Sequence, residues 1–160
     1  MLNIIVFNLV IILFFIFFLL IFKLTIKEEF PYYKKSNFMT ASEKVLFRIL
    51  VQLVGDKYYI LPQVGLGRLI EVNKFGRERY RYLNKISQKS LDFVLLNKND
   101  LSITLAIELD DSTHLLSDRQ VRDEFVNKAM ETTRIPLMRV KRQDYYDFSE
   151  LKKRLIEYLT

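Results

Sequence analysis

Three acidic residues stand inside two strongly apolar segments of the chain, where charged side chains are unusual. Asp92 lies within the segment 90–96, and Glu108 and Asp110 lie within the segment 101–110. Because strand side chains alternate between two faces, Glu108 and Asp110 share a face. Acidic residues at strand ends often simply face water. A charge embedded among apolar neighbours, however, needs a partner or a function, so the pattern favours a functional site.

The two segments are predicted to pair as a hairpin, because residues 97–100 have the composition of a turn. A symmetric hairpin centred near Asn99 places Asp92 opposite Ala106 and diagonal to Glu108, so we expect the three carboxylates to converge. Like charges this close raise one another's pKa unless a cation joins them. Hard oxygen ligands suit Mg²⁺ or Mn²⁺, and the sequence therefore predicts a divalent-metal site at these three carboxylates.

Three residues near these segments could assist such a site. His114, the only histidine, follows Asp110 by four residues and could exchange a proton near neutral pH, although a surface or helix-capping role is simpler. Lys89 precedes the Asp92 strand and could reach a phosphate or a metal-bound water, or it could be solvated. Glu43 occupies the third helical position of a predicted capping box that begins at Thr40, where helix capping alone explains a glutamate.

The chain carries 25 Lys and Arg against 19 Asp and Glu, a net charge of +6. Part of this excess lies in residues 65–86, where Tyr80 and Tyr82 are interleaved with basic side chains. Five of these side chains are candidates for contact with a nucleic-acid phosphate backbone: Arg68, Arg77, Arg79, Arg81 and Lys85. A solvated loop is an equally good explanation. We predict a short helix over 67–73 and an exposed loop over 74–86.

Residues 4–22 are apolar except for Asn8, which is close to the length of about 20 residues that a membrane-spanning helix needs. A cleaved signal peptide would carry a charged start and a small-residue cleavage site, and neither is present. We therefore predict an uncleaved anchor over 1–23. Four lysines follow the span: Lys23, Lys27, Lys34 and Lys35. By the positive-inside rule they predict a single-pass inner-membrane protein whose C-terminal part is cytoplasmic.

Residues 24–39 are predicted to form a polar tether, and residues 40–160 one domain. Hydrophobic periodicity and capping residues predict the order α-β-(α)-β-β-α-β-α, which implies a mixed sheet flanked by helices. With no cysteine and one histidine, a disulfide scaffold, a thiolate zinc site and an iron–sulfur cluster are excluded.

Several motifs together resemble a known family. They are Asp-Phe-Val at 92–94, Ile-Glu-Leu-Asp-Asp-Ser-Thr-His at 107–114, Arg-Asp-Glu-Phe at 122–125 and Ile-Pro-Leu-Met-Arg-Val at 135–140. The set resembles bacterial domain-of-unknown-function family 2726. That family is similar to the very-short-patch-repair-like branch of the PD-(D/E)xK, or restriction-endonuclease-like, nucleases. The resemblance covers nearly the whole of the predicted domain.

The resemblance implies an αβββαβ core and metal-dependent hydrolysis of nucleic-acid phosphodiesters. Asp92 and Glu108 would then be metal ligands, with Glu43 entering from the first helix. The third residue of the superfamily motif is usually a lysine, and here it is Asp110. Asp110 would accordingly be a further metal ligand, and His114 or Lys89 would take the role of the lysine.

Three hypotheses for function follow from these patterns. The first is a membrane-anchored, Mg²⁺- or Mn²⁺-dependent nuclease acting on DNA or RNA at the cytoplasmic face. The second is a non-catalytic nucleic-acid-binding module of the same fold, tethered to the membrane. The third is a basic domain that contacts lipid head groups or a partner protein.

Overall fold

The computed structural model describes residues 2–25, 30–110, 117–143 and 145–159. The chain divides into two compact units, Met1–Ser36 and Asn37–Thr160.

The first unit is dominated by the helix α1 (Leu2–Thr25). Its stretch Asn3–Lys23 has a mean hydropathy of 3.4 and is long and apolar enough to cross a membrane. The described side chains of α1 are exposed on every side of the helix. A helix apolar all round is suited to a lipid environment rather than to water.

The second unit is a four-stranded mixed sheet with helices on both faces. Its elements are α2 (Ala41–Val54), β1 (Tyr58–Gly65), a 3₁₀ turn (Leu66–Arg68), α3 (Gly76–Ser87), β2 (Ser90–Asn97), β3 (Ile103–Asp110), α4 (Ser117–Thr133), β4 (Leu137–Lys141) and α5 (Phe148–Leu159). The strands lie in the order β1-β2-β3-β4, antiparallel except for the parallel pair β3 and β4. Because α4 connects that parallel pair, it provides the crossover that parallel strands require.

Strand alternation divides the core between the two faces of the sheet. Phe93 and Ile107 face one way and pack with side chains of α2 and α5, including Leu46 and Leu155. Val94 and Ala106 face the other way, and the side chains packed there come mainly from α3 and α4: Ile86, Val126 and Met130. The sequence prediction of a mixed sheet flanked by helices is confirmed, and each face has its own apolar cluster.

Helix α2 begins at the capping box that the sequence predicts. The Thr40 side chain accepts a hydrogen bond from the Glu43 backbone N–H at 3.3 Å, and the Glu43 carboxylate accepts one from the Thr40 backbone N–H at 2.8 Å. Each residue thereby satisfies a backbone donor that the first helical turn leaves unpaired. The capping box therefore determines where α2 begins. This N-terminus lies close to the ends of β3 and β4.

The predicted helix over 67–73 and the predicted exposed loop over 74–86 are wrong. The chain forms only a 3₁₀ turn over Leu66–Arg68 and then the helix α3 over Gly76–Ser87. Gly76 has a φ of +54°, so it is a turn glycine that leads into the helix rather than a loop residue. The apolar signal of this segment is weak because it contains few apolar residues: Ile86 is the one buried residue of α3, and Leu83 is half-buried.

The predicted hairpin register is also wrong. Ala106 pairs with Val94, not with Asp92. The turn closes through the Leu101 N–H, which donates to the Asn97 carbonyl at 2.9 Å. A β-bulge then follows, because Leu95 pairs with Leu105 while Leu96 pairs with Ile103. The wider turn and the extra residue at the bulge together shift the pairing by two residues, so that Ala106 meets Val94 instead of Asp92.

Candidate functional site

A row of polar side chains crosses the sheet from β1 to β4. Phe93 pairs with Ile107, and continuing this register by one residue places Asp92 directly opposite Glu108. On the side of β3 away from β2, Glu108 pairs with Arg139 of β4. On the other side, the pairs around it place Gln63 of β1 next to Asp92. Because paired residues share a face, the four side chains form one polar row.

Asp92 is held in this row by hydrogen bonds from two neighbouring strands. Its Oδ2 accepts from the Leu109 backbone N–H at 2.7 Å, and the Gln63 side chain also hydrogen-bonds to it. Gln63 adopts a φ of +54°, which is uncommon for a residue other than glycine and interrupts the pairing of β1 at this point. Such strain in the middle of a strand is typical of residues whose side chains are aimed at a functional site.

Burial raises the pKa of Asp92, and the nearby Glu43 carboxylate raises it further. The Leu109 N–H and the Arg122 guanidinium act in the opposite direction. Glu43 therefore has a second effect besides capping: the α2 N-terminus that it caps brings another negative charge towards Asp92.

Glu108 is the most strongly perturbed group of the row. Burial, then the negative charge of Asp92, raise the pKa of Glu108 to about 8. Arg122 and Arg139 lower it, and Asp110 raises it slightly. Desolvation and repulsion thus raise the pKa of Glu108 by more than the two arginines lower it. The carboxylate pair therefore keeps an excess of negative charge that a further cation would neutralise.

Asp110, by contrast, already has a cationic partner. The Arg139 guanidinium forms an ion pair with the Asp110 carboxylate at 2.5 Å and a longer one with Asp123 at 3.6 Å. The same guanidinium donates to Asn127 Oδ1 at 3.0 and 3.2 Å. Arg139 therefore ties β3 and β4 to α4, and it occupies the acceptor that the sequence assigns to a metal.

The end of β4 is fixed to the N-terminus of α2. The Arg142 side chain donates to Ser42 Oγ at 2.8 Å, while the Arg142 backbone N–H donates to the Asp110 carbonyl at 2.8 Å. The polar row consequently lies near one edge of the sheet. The ends of β3 and β4, the start of β2 and the N-terminus of α2 come together there.

A sequence model of the family described as Protein of unknown function (DUF2726) matches residues 35–159. The chain belongs to the DUF2726 family. No curated protein and no solved structure matches the chain. The match begins just before the second unit and contains every residue of the polar row.

The other predicted site residues of this DUF2726 protein are Lys89, His114 and the five basic side chains of the predicted nucleic-acid contact. The Lys89 Nζ contacts other groups: it donates to the Lys85 carbonyl at 2.7 Å and lies 4.9 Å from the Phe125 ring centroid. His114 lies outside the described residues. The predicted nucleic-acid contacts are exposed side chains, with Arg68 at the end of the 3₁₀ turn and Arg77, Arg79, Arg81 and Lys85 on α3.

No role was predicted from the sequence for three residues of the DUF2726 site: Gln63, Arg122 and Arg139. Arg122 and Arg139 do stand in the motifs that carry the family resemblance. Each lies among apolar or mixed neighbours, so the sequence pattern does not indicate which way its side chain points. Alternation along β4 could have indicated that Arg139 is opposite in face to Met138 and Val140, but its pairing with Glu108 requires the parallel register. Arg122 begins the motif at 122–125, but its position near Asp92 and Glu108 depends on how α4 packs beside β2 and β3.

Within residues 2–25, 30–110, 117–143 and 145–159, no group of three or more Asp, Glu or His side chains could hold a metal ion. What these residues provide is the pair Asp92 and Glu108. Mg²⁺ commonly takes only one or two carboxylates and completes its shell with water, so an oxygen-donor pair of this kind fits it. Metal binding at these carboxylates stays a prediction.

Proposed function

We propose that this protein is a membrane-anchored, divalent-metal-dependent enzyme that hydrolyses nucleic-acid phosphodiesters. The observation that carries the proposal is the pair of carboxylates on neighbouring strands, Asp92 and Glu108, desolvated and left with excess negative charge. A half-buried pair with this electrostatic conflict is unfavourable for folding alone, and such pairs are concentrated at functional sites.

A divalent cation resolves the conflict. Asp92 and Glu108 would hold it, because both present oxygen ligands on the same face and both ionise more readily beside a positive charge. When bound, such a cation stabilises negative charge on a phosphoryl group and activates water for attack. The donor chemistry of the pair fits a hard ion such as Mg²⁺ or Mn²⁺ and offers no sulfur or nitrogen ligand of its own.

The surrounding residues orient the pair. Gln63 and the Leu109 N–H hold the Asp92 carboxylate in one direction, so little reorganisation is needed on binding. Arg122 places positive charge beside both carboxylates and would also attract a phosphate. The negative charge of Glu43 disfavours ionisation of Asp92 in the absence of a cation. Full ionisation of the site therefore depends more strongly on a bound cation.

The helix α3 supplies the contact with the nucleic-acid backbone. Arg77, Arg81 and Lys85 recur every four residues, so they align along one side of the helix. Arg81 is partly engaged by Glu78 at 3.3 Å. An exposed basic stripe of this kind would contact the phosphate backbone of a bound nucleic acid.

The element order supports the kinship with PD-(D/E)xK nucleases that the motifs suggest. Leaving α3 aside, α2-β1-β2-β3-α4-β4 reads αβββαβ, with Asp92 on the second strand and Glu108 on the third. We further propose that α1 spans the inner membrane once and that the lysines after it keep the second unit in the cytoplasm.

The test is a cleavage assay with the detergent-solubilised full chain, on labelled single-stranded and double-stranded DNA and RNA. We expect cleavage that requires Mg²⁺ or Mn²⁺ and is abolished in Asp92→Asn and Glu108→Gln, prepared identically to exclude a contaminating nuclease. Exposed Glu157→Gln on α5 is the matched control and should cleave normally. Equal activity in wild type and Asp92→Asn would assign the cleavage to another protein.

A second candidate is a nucleic-acid-binding module without catalysis. The observation that favours it is the ion pair between Arg139 and Asp110: the position where related nucleases usually carry a lysine holds a carboxylate that is already neutralised. Metal-independent binding of nucleic acid by the wild type, with no cleavage of any substrate in either metal, would favour this module over the enzyme.

A further inference from the structure

A cavity of about 300 Å³ lies between residues 70–74, the helix α3 and the helix α4, and the proposed hydrolysis does not use it. Its walls are mostly apolar and include the rings of Tyr82 and Phe125, while Asn73 and Thr132 contribute polar groups. This volume is at the lower end of the range for ligand pockets and suits one planar aromatic ring system better than an extended chain.

Positive charge surrounds the two rings. Arg81 and Lys85 lie 5.3 and 5.4 Å from the Tyr82 ring centroid, and Lys89 lies 4.9 Å from that of Phe125. Two more cations, Lys74 and Lys128, line the cavity itself. The acidic side chains nearby are fewer: Glu71 in the lining, and Glu78, which pairs with Lys74 and Arg81.

The cavity is connected to the carboxylate pair through α4. Phe125 follows Arg122 by three residues, a rise of roughly 4.5 Å along the helix, and Arg122 is the side chain that acts on both Asp92 and Glu108. Lys89 stands three residues before Asp92, roughly 10 Å along an extended chain. The cavity and the carboxylate pair are therefore linked by short stretches of chain, through Arg122 and Phe125 on α4 and through the residues that lead from Lys89 into β2.

An aromatic, apolar cavity ringed by cations matches the two halves of a nucleotide. The base stacks on aromatic rings irrespective of its identity, and the phosphates on either side pair with lysine and arginine. We propose that this cavity binds an unpaired nucleobase of the strand whose backbone lies along α3. The inference rests on the proposed function and makes it more specific: the substrate is single-stranded, or a duplex opened at the site.

The test fills the cavity without changing its charge. Thr132 is an exposed cavity residue of α4, so Thr132→Phe adds a ring there; Gln52→Phe on the exposed side of α2 adds the same ring elsewhere. Binding of the full chain in detergent is measured in EDTA, so that nothing is cut. The probes are a thymidine 12-mer, a 12-mer of abasic deoxyribose phosphate, and a duplex of the same length.

We expect Thr132→Phe to weaken binding of the thymidine 12-mer about tenfold, in the range of one lost base stack, and to leave the abasic 12-mer unaffected. The dependence of binding on salt should not change, since no phosphate contact is removed. Gln52→Phe should bind like the wild type.

Equal binding of the abasic and thymidine 12-mers by the wild type would overturn the base-binding cavity. So would a Thr132→Phe variant that binds both 12-mers as the wild type does, or that loses binding to both. Those results leave backbone binding by α3 in place. A wild type that binds none of the three probes would instead overturn the proposed function together with the cavity, so the two failures are distinguishable.

Discussion

Replacing Glu108 by glutamine should change how the stability of the metal-free protein depends on pH. Burial and Asp92 raise the pKa of Glu108 from 4.5 to about 8 in the folded chain, whereas the unfolded chain has the ordinary value. The folded state therefore holds this proton more tightly. The stability contributed by the proton is fully present below about pH 4.5 and is lost as the pH rises towards 8.

The magnitude follows from the two pKa values. Each tenfold change in the acid constant corresponds to about 1.36 kcal/mol, so complete ionisation of Glu108 destabilises the fold by about 5 kcal/mol. Between pH 5 and pH 8 the loss amounts to about 3 to 4 kcal/mol, because ionisation in the unfolded chain has already begun at pH 5. Glu108→Gln removes this loss but leaves the smaller effect of Asp92, whose pKa is raised in the same direction.

The assay is urea unfolding of residues 37–160, followed by circular dichroism in EDTA at pH 5, 6, 7 and 8. This segment is the compact unit that contains both apolar clusters. Wild type should lose stability with rising pH, and Glu108→Gln should be nearly flat and exceed it at pH 8. Exposed Glu157→Gln should follow the wild type. Parallel profiles for wild type and Glu108→Gln would show that Glu108 ionises normally, and the argument from electrostatic conflict would then fail.

Three further predictions concern the elements around the pair. Arg139→Met should lower the free energy of unfolding by about 2 kcal/mol in urea titrations, because half-buried Asp110 loses its partner; Arg139→Lys should recover only part, since lysine lacks the planar fork, and an unchanged midpoint would contradict the network. The triple variant Arg77→Glu, Arg81→Glu, Lys85→Glu should flatten the salt dependence of nucleic-acid binding by roughly one unit of slope per lost phosphate contact, and an unaltered slope would assign the stripe to another partner. Thr40→Ala should lower stability by about 1 kcal/mol through loss of the capping box, with Thr40→Ser near wild type as the control; a thermal midpoint unaffected by alanine would argue against the cap.

Where local chemistry determines structure, the sequence was a sufficient guide. The capping box at Thr40 and Glu43 placed the start of α2, and apolar runs placed β2 and β3 to within a few residues. The carboxylates Asp92 and Glu108 stood out because charges are rare inside such runs. These features depend on neighbours within a few residues, so one chain contains enough information to find them.

Features that depend on tertiary context were not predictable in the same way. The bulge after Leu95 shifts the register so that Asp92 meets Glu108 directly, and no turn composition indicates a bulge. The helix α3 has so few apolar residues that its packing against the sheet, not its own periodicity, defines it. Arg139 becomes part of the site only through parallel pairing of β3 and β4, which joins residues far apart in the chain.

The measurement that most directly tests the central claim is a calorimetric titration of Mn²⁺ into the wild type, Asp92→Asn and Glu108→Gln at pH 7. We predict saturable binding of Mn²⁺ to the wild type, with release of protons from the carboxylate pair that is visible as a dependence of the heat on the buffer. Each variant should lose this binding while keeping its circular dichroism spectrum. Equal Mn²⁺ binding by all three proteins, or none by the wild type, would contradict the account of Asp92 and Glu108 as a divalent-metal site.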